Sequence, residues 1–213
     1  MPDRPVWYFD LVSPFVFLQL EQRGELFVRL QPVCRPVLFG ALLKEHGSLG
    51  PVEIPGKRTF TYRFVQWQAQ QHGIVMHCPP KHPFNPLALQ RLCVHLGDDW
   101  GRIRELSRFV WQEGRVPESD SDWQDVGKRI GVGVNNIQEI TQNPEVKQRL
   151  ADYTTEALQH QVFGVPTFRV GSELFWGVDA TGMLEAFLAD PSLFKREEYR
   201  YLEQVEFGVR RKP

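Results

Sequence analysis

An aromatic, strand-like run, Val6-Trp-Tyr-Phe-Asp10, gives way within three residues to Ser13-Pro14, a pair that starts a helix. Serine favours the N-cap, and proline the first helical position, where its missing N–H has no intrahelical partner to lose. A strand feeding directly into a helix commits the beginning of the chain to a strand–helix–strand unit. The helix should run from Phe15 to Gln22. Leu26, Val28 and Leu30 then alternate with other residues, so Leu26 to Cys34 reads as a second strand, parallel to the first. The crossover of such a unit is right-handed.

From about residue 40 to 158 the apolar spacing turns helical. Helices are expected at Lys57–His72 (closed by Gly73), from Asn85-Pro86 to Leu96, and at Trp100–Trp111, Asp122–Ile130 and Pro144–Gln161. Gly131-Val-Gly-Val134 reads as a loop and lacks the G-x-G-x-x-G spacing of a nucleotide cradle. Strands return at Gly164–Val170 and Leu174–Trp176, joined as a hairpin through Gly171-Ser-Glu. Gly177-Val-Asp-Ala-Thr then leads into a helix, Met183 to Leu188. The charged tail from Lys195 to Pro213, with Tyr199, Tyr201 and Phe207, reads as a loosely packed extension. The pattern predicts an α/β chain of thioredoxin-like plan, formed by residues 1–40 and 159–213, with an all-helical insertion at 41–158.

Composition narrows the function. At 213 residues, 42% hydrophobic and 24% charged, the chain can bury a core. A net charge of −1 argues against a nucleic-acid partner. No apolar run reaches membrane-spanning length, and no signal-peptide pattern follows Met1, so no membrane partner and a cytoplasmic location are expected. Cys34, Cys78 and Cys93 are odd in number and never form C-x-x-C, which suits free thiols. A metal set could be drawn from His77, Cys78 and His82, but the stretch is proline-rich and has no second cluster.

Three segments carry a resemblance: Phe9-Asp-Leu-Val-Ser13-Pro-Phe-Val-Phe-Leu18, Val162-Phe-Gly-Val-Pro166-Thr-Phe and Leu174-Phe-Trp-Gly-Val-Asp179. Together they resemble the 2-hydroxychromene-2-carboxylate isomerases. That family stands with the kappa-class glutathione transferases among thioredoxin-like proteins that carry a helical insertion, as the DsbA-like oxidoreductases do. Where a dithiol oxidoreductase has C-P-x-C, this chain reads Ser13-Pro14-Phe15-Val16. A hydroxyl cannot exchange disulfides and a valine cannot resolve one, so dithiol chemistry is excluded there. The helix N-terminus still favours an anion. Lowering a thiol from a pKa near 8.5 by about 2 units takes roughly 2.7 kcal/mol, which backbone N–H groups and a serine hydroxyl can supply. Ser13 is therefore either the group that stabilises a thiolate brought in by a ligand or simply a helix cap.

The resemblance implies glutathione as cofactor and fills in its contacts. Pro166 would be cis, turning the Val165 backbone toward the cysteinyl part of glutathione; the plainer alternative is a trans proline opening a strand. Asp179 would hold the γ-glutamyl amine and Ala180 N–H the γ-glutamyl carboxylate, while Asp179 can also be an N-cap. Lys57 would meet the glycyl end, or else be a solvated lysine at a helix start. Family members often carry an asparagine ahead of this lysine and a tyrosine after it; Gly47 to Gly56 has no asparagine, and Phe60 stands at the second place. Asn85 reads as a helix cap, and Phe15, Phe39 and Trp176 as candidates for an apolar wall. The implied activity is glutathione-dependent cis–trans isomerisation of a small aromatic substrate through a transient adduct, by a homodimer. The alternatives are a kappa-class-like transferase acting on electrophiles and a non-catalytic thioredoxin-like binding module.

Overall fold

The computed structural model describes residues 4–206, 208 and 209. In chain order these form β1 (Val6–Phe9), α1 (Pro14–Gln22), α2 (Gly24–Leu30), β2 (Val33–Pro36), α3 (Phe39–Glu45), α4 (Pro55–Gln71), α5 (Leu87–Leu96) and α6 (Trp100–Trp111). Then follow α7 (Asp120–Ile130), α8 (Val134–Gln142), α9 (Pro144–Gln159), β3 (Thr167–Val170), β4 (Glu173–Trp176), α10 (Thr181–Ala189) and α11 (Glu197–Leu202). The sheet order is β2-β1-β3-β4, with β1 and β2 parallel and the other two pairings antiparallel.

The two-residue period of β1 divides the core. Trp7 and Phe9 point to one face, where Trp7 stacks on Phe9 at 4.2 Å and meets Phe27 edge-on at 4.8 Å. Tyr8 points to the other, packed with Leu42, Ala157 and Val162. The cluster around Trp7 continues without a break through Val65, Leu89, Phe109, Trp111 and Val126, so strands and inserted helices share one core. Glu21 fastens α1 to α6, accepting from both Arg104 and Arg108. Burial alone would raise that carboxyl, but the two guanidinium groups hold it below its usual range.

The strand expected over Leu26–Cys34 is corrected. Gly24–Leu30 is helix α2, and the strand is confined to Val33–Pro36. The alternating set misleads because its middle member, Val28, is exposed, while Leu26 and Phe27 are buried side by side. Phe27 faces Trp7, Trp100 and Phe168, a partner set that two-residue alternation cannot show. Gln31, in the left-handed region at φ 44°, ends the helix just before Pro32. Three further helices, α3, α8 and α11, fall where the sequence pattern predicts none. Val134, read as loop, is the first residue of α8, while Gly131 closes α7 at φ 66°.

The chain is pinned just ahead of the tail, and among the tail's described residues Tyr199 alone is partly buried. Leu193 is buried, Phe194 stacks on Phe187 at 5.2 Å, and Tyr199 meets Phe194 edge-on. Tyr201 is exposed, and Phe207 lies outside the described residues. No helix among the described residues is long and apolar enough to cross a membrane.

Candidate active site

The turn between β1 and α1 is fastened residue by residue. Asp10 Oδ1 accepts from Val12 N–H at 3.0 Å, and its Oδ2 from Phe39 N–H at 2.9 Å, tying this turn to the start of α3. Gln90, fully buried on α5, donates to the carbonyls of Phe9 and Val37 and accepts from Leu11 N–H. Trp111 Nε1 donates to the Leu11 carbonyl at 2.8 Å, and His82 Nε2 bonds the Val12 carbonyl at 2.8 Å. Each backbone group of a buried turn needs such a partner, and here they arrive from several distant segments.

Ser13 stands at the end of this scaffold, with extended backbone and 6% exposure. Its side chain makes no capping hydrogen bond to α1. The capping role is therefore not the one the hydroxyl fills, and the group is left facing a cavity of about 340 Å³. Phe15, Phe39, Leu43, Leu49, Phe163 and Trp176 supply the apolar walls. The polar lining includes Ser13, His46, Glu53, Thr61 and His82. Arg58, on α4, donates from Nε to the Val52 carbonyl at 2.6 Å, one residue from Glu53. A wider trough of about 570 Å³ shares Pro83 with this cavity, but its Arg115 is already bound by Glu113, Asp122 and Asp125.

The Val165–Pro166 peptide is cis, and Val165 lines the same cavity as Ser13. Gly164 beside it has no room for a side chain, since a Cβ would lie 2.5 Å from the Trp176 indole nitrogen. Gly177 N–H bonds the Pro166 carbonyl at 2.8 Å, and buried Gln19 of α1 reaches both the Gly177 carbonyl and Thr181. These bonds hold the Pro166 carbonyl and the start of α10 against α1, the helix that Ser13 leads into. Ala180 is the residue preceding α10, and Asp179 is exposed beside it. Lys57 is exposed in the first turn of α4. The cavity lining includes Ser13 and Val165 but not Pro166, Lys57, Asp179 or Ala180.

Asn85 accepts from Leu87 N–H at 3.0 Å, close to the capping role read for it. His82 does not join His77 and Cys78: His77 bonds the Gln112 carbonyl instead, and no group of three or more metal-ligating side chains converges among the described residues. Asp10, Tyr62, Gln90 and Trp111 also shape the site without having been singled out in the sequence. Asp10 had a local signal, an aspartate two residues ahead of an amide it could turn back to accept. The others lie roughly 50 to 100 residues from the turn they serve or help to hold.

Residues 6–189 match the model of the DSBA-like thioredoxin domain. The chain belongs to the DSBA-like thioredoxin family. A 2-hydroxychromene-2-carboxylate isomerase of Pseudomonas sp. (strain C18) is 32% identical over 190 residues, which is 84% of this chain and 87% of the relative. Glutathione s-transferase kappa 2 of Caenorhabditis elegans is 23% identical over 214 residues, covering 90% and 95%. A solved 2-hydroxychromene-2-carboxylate isomerase structure superposes with a TM-score of 0.78 at 22% identity, over 95% of this chain and 99% of the other. This DSBA-like chain is an enzyme, similar to proteins named isomerases and glutathione transferases.

The Asp10 carboxyl of this DSBA-like protein gives a pH prediction. Burial pushes its pKa from 3.8 up to about 7, against the opposing pull of the Val12 and Phe39 amides. The folded state then holds a proton that the unfolded state releases near its ordinary value, so stability falls as pH rises from about 4 to about 7. The fall is on the order of 4 kcal/mol. Denaturant titrations across that window should show Asp10→Asn with a flatter slope than the parent; equal slopes would refute the assignment.

Proposed function

We propose that this enzyme is a glutathione-dependent isomerase of 2-hydroxychromene-2-carboxylate-type substrates, working with no net redox change. The observation that carries the reading is Ser13: a nearly buried hydroxyl at a helix start, spared from capping, on the wall of an apolar cavity. The cis peptide that follows Val165, a residue of the same cavity, supports this reading. When bound, glutathione supplies the nucleophilic thiolate that Ser13-Pro14-Phe15-Val16 lacks. Ser13 donates a hydrogen bond to that sulfur, and the α1 N-terminus favours its negative charge. Val165 offers its backbone to the cysteinyl unit as a short strand would. We assign the ends of the tripeptide to Lys57 on one side and to Asp179 and Ala180 on the other. Phe15, Phe39 and Trp176 exclude water from the aromatic substrate, which strengthens every polar contact inside.

A kappa-like glutathione transferase is the second reading, and Glu53 favours it. Glu53 lines the cavity, its carboxylate accepting from Gly50 N–H, and its negative charge opposes a substrate that carries a carboxylate of its own. One assay separates the two. The protein is incubated with glutathione and either the chromene carboxylate or chlorodinitrobenzene, following absorbance and free thiol. The isomerase reading expects trans product with glutathione unconsumed. Glutathione consumed with chlorodinitrobenzene and no isomerised product would establish the transferase instead.

A further inference from the structure

His82 lines the cavity, yet both its ring nitrogens are committed. Nε2 lies 2.8 Å from the Val12 carbonyl and Nδ1 lies 2.9 Å from the Tyr62 hydroxyl. A carbonyl only accepts, so Nε2 carries the proton. The neutral ring then has its lone pair at Nδ1, and Tyr62 O–H donates into it. Burial keeps the ring's pKa below the ordinary value; the Val12 bond opposes this, and the Arg58 charge on α4 adds to it. The ring lies edge-on to Trp111 at 5.1 Å, and Trp111 holds the adjacent Leu11 carbonyl.

The peptide that His82 grips is the one leading into Ser13. Its carbonyl side takes the His82 bond, and its N–H side, Ser13 N, donates to the Asp10 carbonyl at 2.9 Å. Bonds on opposite edges fix a peptide plane, and that plane sets where the Ser13 side chain leaves the backbone. We propose that His82 is a positioning residue for Ser13, holding the Val12–Ser13 peptide through Nε2–H while Tyr62, at Nδ1, orients the ring. The effect on glutathione rests on the function proposed above; the effect on the peptide does not.

Two measurements test it. In the ligand-free protein, Ser13 amide hydrogen exchange is compared with β3 amides of the same sample. His82→Leu should speed Ser13 exchange about tenfold relative to β3. His82→Gln, whose amide donates from nearly the same place as Nε2, should restore it to within about threefold. Nitrogen NMR of the wild-type ring should show the proton on Nε2. A ring protonated at Nδ1, or unchanged relative exchange in His82→Leu, overturns the proposal. If the leucine variant fails to fold, His82→Asn decides, because its shorter amide cannot reach the Val12 carbonyl: faster Ser13 exchange relative to β3 supports the proposal, and unchanged exchange overturns it.

The second measurement is the thiolate absorbance of bound glutathione against pH. His82→Leu should lower the thiolate fraction below the midpoint about tenfold, with recovery in His82→Gln. An unchanged titration with glutathione bound overturns the proposal. Absence of glutathione binding by the wild type defeats the proposed function and leaves the exchange result to stand by itself.

Discussion

Leucine in place of Gln90 is expected to cost the protein about 2–5 kcal/mol, although the two side chains are similar in size and the site is completely buried. The amide makes three backbone bonds, to Phe9 and Val37 carbonyls at 3.0 and 2.8 Å and from Leu11 N–H at 3.2 Å. The Phe9 carbonyl keeps its bond from Val37 N–H, so it is not stranded. Leu11 N–H and the Val37 carbonyl lose the partner that satisfies them, and each orphan costs about 1–3 kcal/mol. Urea denaturation should show a lower midpoint at an unchanged slope. A loss below about 1 kcal/mol would mean that the turn finds other partners.

Ser13→Ala is expected to lower glutathione-dependent turnover about 10²-fold or more, the usual consequence of deleting one preorganised donor to a reacting anion. Stability should hardly change. An ordinary capping serine loses about 1 kcal/mol on truncation, whereas this hydroxyl makes no cap bond to lose. Steady-state kinetics and thermal denaturation of the same preparation separate the roles. Full turnover with a falling melting temperature would return Ser13 to the rank of a helix cap.

Local chemistry made part of this molecule legible. The aromatic run of β1, the Ser13-Pro14 start of α1 and the Gly171 turn between β3 and β4 each carry their signal within a few residues. Helix α2 was misread because two competing periods fit the same seven residues, and only Trp7, Trp100 and Phe168 decide between them. Ser13 and Val165-Pro166 were legible as motifs, and the structure brings Ser13 and Val165 to one cavity. Gln90, Trp111 and His82 were not. Nothing local distinguishes a buried glutamine on an amphipathic helix from its neighbours until the carbonyls it serves are brought beside it.

The anchors of the Phe9–Ser13 turn all arrive from the stretch between β2 and β3: His82 ahead of α5, Gln90 on α5 and Trp111 closing α6. Recombination among relatives therefore has a natural indivisible unit. A chimera that takes the strands from one parent and the helical block from another keeps its serine only in the alphabetic sense unless positions 82, 90 and 111 travel with it. Minimisation meets the same barrier, because trimming the chain to its four strands and their flanking helices would remove the splint that braces the Phe9–Ser13 turn.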